Sequence, residues 1–138
     1  MSRQSATNDK HYYSNRMKIR IKGNSIRLRL SKTDVAKLGT TGWLEEQTSF
    51  GKNKFAYALK AVDNGNELSA SFDDGTITMF IPKILIKDWP VNNIVGFDST
   101  LKLTETDSLY LLVEKDFACI DETVEDQTDN YENPNKTC

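Results

Sequence analysis

The chain has 138 residues, 38% of them apolar, with a mean hydropathy of −0.56, a formal net charge of −2 and a pI near 5.4. These values describe one soluble domain with a modest core and exclude fibrous and low-complexity classes. No stretch reaches the roughly 18 consecutive apolar residues that span a bilayer, and the N-terminus lacks the apolar segment of a signal peptide, so the expected location is cytoplasmic.

Residues 1–16, MSRQSATNDKHYYSNR, are polar, rich in turn formers and without periodicity. They read as a disordered arm, with residues 17–138 forming a single globular domain. In MKIRIKGNSIRLRLS, Ile19 and Ile21 alternate with Lys18, Arg20 and Lys22. Beyond Gly23-Asn24, Ile26, Leu28 and Leu30 alternate with Arg27 and Arg29. Period two on both sides of a Gly-Asn turn predicts a β-hairpin.

Ser31 stands at a helix N-cap with Asp34 three residues on, as in a capping box, and Gly39 supplies a stop after about two turns. Strand patterns follow in WLEEQTSF and in FAYALKAV, where Phe55, Tyr57 and Leu59 share a face. In ELSASF, Leu68, Ala70 and Phe72 are expected inward. The Asp74-Gly75 pair turns the chain into TITMFI, with Ile77, Met79 and Ile81 inward. PKILIKDWP opens with Pro82 and spaces Ile81, Ile84, Leu85 and Trp89 as in a short helix or 3₁₀ turn. NIVGFDSTLKLT and SLYLLVEKDF supply the last strands. The predicted fold is α+β: a strongly curved antiparallel sheet or small barrel of about eight strands with two short helices. No internal repeat is evident.

Charge is unevenly laid out. From Glu114 to Cys138 eight acids stand against two lysines, a net −6, which leaves sixteen bases and twelve acids, a net +4, elsewhere. Lys18, Arg20, Lys22, Arg27 and Arg29 fall on one face of the hairpin, where like charges repel unless something negative answers them. A solvated face neutralised by Glu45, Glu46, Glu114 or Asp116 is the plainer outcome. An anion or partner site is the functional one. Nucleic acid is disfavoured by the acidic pI and by the lack of stacking aromatics interleaved with these charges. A third arrangement turns Arg27, Arg29, Glu114 and Asp116 into a polar cavity that would resemble the lumen of the triphosphate tunnel enzymes. The segment Lys18-Ile19-Arg20-Ile21-Lys22 lacks the acids of their Glu-x-Glu-x-Lys signature.

The two cysteines, Cys119 and Cys138, offer a metal site or a disulfide. Zinc requires about four ligands, and His11 is the sole histidine. A bridge closing a loop of about 20 residues contributes roughly 3 kcal/mol where it forms, but thiols stay reduced in the cytosol. A catalytic role for Cys119 lacks a base, because acids rather than histidine surround it. Asp121–Glu132 spaces acids like an EF-hand loop but puts Asp126 where that loop needs glycine. The seven glycines contain no phosphate-binding or dinucleotide motif. No cofactor is expected.

With KIRIKGNSIRLRLS at one end and EKDFAC followed by DNYENPN at the other, residues 17 to about 138 resemble a family of small uncharacterised bacterial proteins. The resemblance implies no substrate or cofactor. It implies that the acidic segment, about 118–138, belongs to the domain and is ordered; attraction between the −6 segment and the +4 body then suggests docking, with Phe117, Ile120 and Tyr131 as packing anchors and the acids partly covering the basic hairpin. The expected function is a non-enzymatic cytoplasmic binding or accessory domain engaging a protein or small anion, with no membrane partner. The alternatives are an enzyme of phosphorylated small molecules and a metal or redox module on the cysteines.

Overall fold

The computed structural model describes residues 16–117 and 129–132. The arm up to residue 15, the anchor Ile120, both cysteines and most of the loop compared with an EF-hand lie outside the described residues.

Strands β1 (Lys18–Ile21) and β2 (Ser25–Leu30) form the predicted hairpin around Gly23-Asn24, with Lys18 opposite Arg29 and Arg20 opposite Arg27. Helix α1 (Lys32–Thr41) begins at Ser31, which closes a full capping box with Asp34. It runs past Gly39 and stops at Gly42, whose φ of +73° makes the left-handed C-cap with its N–H donating to the Leu38 carbonyl. Gly39 is therefore not the stop.

Strands β3 (Trp43–Ser49) and β4 (Lys54–Val62) form a second hairpin, and β5 (Ser69–Asp73) and β6 (Thr76–Pro82) a third. Asp74 and Gly75 both have positive φ, at +53° and +76°, as the twisted two-residue turn requires. A one-turn helix α2 (Lys83–Ile86) and a 3₁₀ turn (Trp89–Val91) lead to the last hairpin, β7 (Gly96–Lys102) with β8 (Ser108–Lys115).

The eight strands divide into two mixed four-stranded sheets, ordered β1-β2-β8-β7 and β3-β4-β6-β5. The expected all-antiparallel sheet is thus corrected. β2 runs parallel to β8, and β4 parallel to β6, because separate hairpins join side by side, the first pair at a separation of 85 residues and the second at 20. No closed barrel is formed by the described residues. The order hides a symmetry: the unit hairpin–helix–hairpin occurs twice, β1β2α1β3β4 and β5β6α2β7β8. Exchanging the two units maps one sheet onto the other. The sequence shows no repeat, yet the topology is duplicated.

One core joins the sheets. Leu28, Leu30, Leu111 and Val113 from the first meet Leu44, Leu59, Met79 and Ile81 from the second, closed by Val35 and Leu38 of α1 and by Trp89. Each such aliphatic side chain contributes about 1.5–3 kcal/mol through removal from water. Trp89 is fully buried, donates its indole N–H to the Ile94 carbonyl at 2.7 Å and meets Phe97 edge-on. Phe72, expected inward, and Ile84, on the helical spacing, are exposed. Phe72 is 66% exposed because the edge strand β5 carries it to the turn end of the sheet, and Ile84 is 72% exposed because α2 buries only Ile86.

Candidate anion-binding face of the first sheet

Period two along β1 and β2 sends Ile26, Leu28 and Leu30 into the core and Arg27 and Arg29 to the opposite face. The antiparallel register sets Lys18 beside Arg29 and Arg20 beside Arg27. The parallel register with β8 adds Tyr110 beside Ser25, Leu112 beside Arg27 and Glu114 beside Arg29. All five predicted cations therefore belong to one outer face of the hairpin, with Lys22 at the turn.

The two predicted carboxylates answer part of this charge. Glu114 Oε2 accepts from Arg29 Nε at 2.9 Å and lies 3.4 Å from Arg27 Nε, so one carboxylate serves two guanidinium groups. Gly96 opposite Glu114 has no side chain for a physical reason. A Cβ there would stand 2.4 Å from the Val113 carbonyl and 2.8 Å from Glu114 Cβ. Asp116 is buried and pairs with Lys18 Nζ at 3.0 Å. Glu46 pairs with Arg16 instead of the hairpin, and Glu45 accepts from Gln47. Among the described residues no carboxylate reaches Arg20 or Lys22.

Those two cations line a small groove of about 150 Å³ with Ser25, Ile26, Arg27 and Tyr110. Tyr110 is the residue that sequence reasoning missed. It lies 90 positions from Arg20, and only the parallel pairing of β2 with β8 brings its ring among the charges. Its hydroxyl donates to Asp98 at 2.8 Å, and that bond, with the negative charge beside it, raises the phenol above its ordinary pKa. The polar-cavity arrangement is not what the described residues form. Arg27, Arg29 and Glu114 stand on the open face of a sheet, and Asp116 is closed off by Lys18.

Of the acidic segment the structure describes residues 129–132, which lie against the start of α1. The Asp129 carbonyl accepts from Lys32 N at 2.9 Å, and its carboxylate accepts from Thr33 N at 3.1 and 3.3 Å. With Ser31 taking the Asp34 N–H, the unpaired donors of the helix N-terminus are satisfied. Tyr131 pairs with Phe117, ring centroids 5.6 Å apart, and its N–H donates to the Asp116 carbonyl.

Beneath Tyr131 is a buried lysine. Lys115 is 4% exposed, and its Nζ donates to the Asn92 carbonyl at 2.7 Å between the rings of Tyr131 and Trp89, 4.7 and 5.8 Å away. Burial lowers its pKa, and the two ring faces with the carbonyl compensate the desolvated charge.

A family model described as a family of unknown function, DUF7009, matches residues 17–135. The chain belongs to that family. No curated protein and no solved structure matches it. The matched range takes in both copies of the DUF7009 chain's hairpin–helix–hairpin unit, all five cations of the face and the Asp129 cap. The family assignment brings no ligand, so the chemistry of this DUF7009 face rests on its own geometry.

Proposed function

We propose that this chain is a non-enzymatic binding or accessory module of the cytoplasm that engages an anionic partner, a small anion or an acidic protein segment, through the outer face of β1 and β2. The observation that carries this reading is the groove beside Tyr110. Arg20 directly faces Arg27 across the hairpin, Lys22 adjoins them, and neither Arg20 nor Lys22 has a carboxylate partner among the described residues. Like charges held opposite each other on a sheet repel, and an incoming anion relieves that repulsion while it gains three cationic donors. The partly screened surface supports a reversible, salt-sensitive association.

Titration of the full chain with inorganic pyrophosphate and with a hexaglutamate peptide, followed by amide NMR at low salt, tests this. Shifts concentrated at Arg20–Arg27 and Tyr110, lost at high salt and in an Arg20→Glu/Lys22→Glu variant, are expected. Silence with both probes rejects the reading. The redox or metal alternative depends on Cys119 and Cys138, which lie outside the described residues. Metal analysis of the purified chain addresses it directly.

A further inference from the structure

A second cleft lies away from the basic face. It has a volume of about 580 Å³ and opens between the C-terminal end of α1 and the α2 segment. This size is within the range of sites for small organic ligands. Ala61 and Ile84, the latter 72% exposed, supply apolar surface beside Pro90, and Leu38 and Ile86 lie beneath them in the core. Lys83 and Lys87 add two ammonium groups from the α2 side. Lys83 pairs at 3.0 Å with Asp63, whose side chain is 80% exposed, a contact weakened by solvent and open to exchange. Lys87 has no carboxylate partner among the described residues.

Gly39 gives the cleft its second mark. Glycine inside a helix costs about 1 kcal/mol relative to alanine, and two ordinary reasons for accepting that cost are missing here. The φ of Gly39 lies outside the left-handed region, and a Cβ built on it would meet nothing within 4 Å. The helix does not end there, since Gly42 makes the cap. The one consequence of a missing side chain at Gly39 is open volume in the cleft that it lines. A local rule broken with no packing gain points to a site.

We infer that this cleft binds a small amphipathic anion, an acid with an aliphatic or aromatic body, the body lying along Gly39, Ala61 and Ile84 and the acid group meeting Lys83 and Lys87. The two parts divide the work: apolar contact supplies most of the affinity, and the lysines select the ionised head over a neutral one. The site is independent of the anion-binding face and is read out separately.

Isothermal titration calorimetry of the full chain with octanoate, with 1-octanol as the neutral comparator, tests the assignment. Octanoate is expected to bind one to one, and 1-octanol about fivefold more weakly, the difference that one screened ion pair supplies at its upper limit. Lys83→Gln/Lys87→Gln is expected to reduce octanoate to the level of 1-octanol. Gly39→Leu is expected to abolish both while the melting temperature stays level or rises, and Gly39→Ala provides a smaller filling that keeps the fold. Octanoate heat that is absent, equal to that of 1-octanol, or retained in Gly39→Leu overturns the inference.

Discussion

Asp34 carries two opposing pulls. Its carboxylate accepts from the Ser31 N–H at 3.1 Å, which favours the ionised form, but burial dominates and pushes its pKa from 3.8 to about 6, with Glu46 and Asp129 adding repulsion. A carboxyl with a raised folded pKa holds its proton more tightly in the folded state than in the unfolded one. Its contribution is greatest below the unfolded value and is lost as pH rises through the folded value, between about pH 4 and pH 6. Asp34→Asn keeps an acceptor for Ser31 and removes the titration. The variant is therefore expected to gain on the natural chain as pH rises from 4 to 7, by on the order of 1–3 kcal/mol at neutral pH. Urea denaturation of both proteins across that interval measures the difference, and a constant gap would refute the assignment. The Ser31 and Asp34 spacing was readable in the sequence. The burial that opposes ionisation was not, because it depends on what packs over the helix start.

At the scale of elements, α1 is capped from two places in the chain. Ser31 lies next to the helix, and its role followed from spacing alone. Asp129 lies 96 residues from Thr33, and nothing local marks it as a cap. Asp129 brings one carboxylate and one backbone carbonyl to this single helix end. Directional bonds to unpaired N–H groups outweigh exposed ion pairs. Replacement of Asp129 by alanine is expected to cost about 0.5–2 kcal/mol, seen as a lower urea midpoint with an unchanged slope. Full stability in that variant would show the cap to be dispensable. The hairpins themselves were legible from alternation and from Gly23-Asn24 and Asp74-Gly75. The joining of β2 to β8 was not, and with it went the position of Tyr110.

At the scale of the whole molecule, each sheet takes one hairpin from each half of the chain, so neither half holds a complete sheet. The first half supplies β1-β2 to one sheet and β3-β4 to the other, and the second half supplies their parallel neighbours. An isolated hairpin is marginal in water. A fragment of residues 17–63 is therefore expected to remain unfolded as a monomer and to gain sheet structure on mixing with a fragment of residues 64–138. Circular dichroism with size-exclusion chromatography tests this, and a cooperatively folded monomer of the first fragment would contradict the interlock.

The sequence by itself determined the α+β class, the eight strands, both short helices, the capping box and the grouping of five cations on one face of the first hairpin. These follow from period, turn chemistry and spacing, which are local. Tertiary structure alone decided the two mixed sheets, the duplicated topology, the meeting of Arg20 and Lys22 with Tyr110, the burial of Lys115 and the place of Asp129. For the sheets the physical reason is that side-by-side pairing of hairpins uses backbone hydrogen bonds that carry no residue signature; Lys115 and Asp129 take their places from contacts equally remote from their own windows. Partners 20 positions apart in one sheet and 85 in the other are therefore selected by the fit of whole apolar faces, which no short window contains.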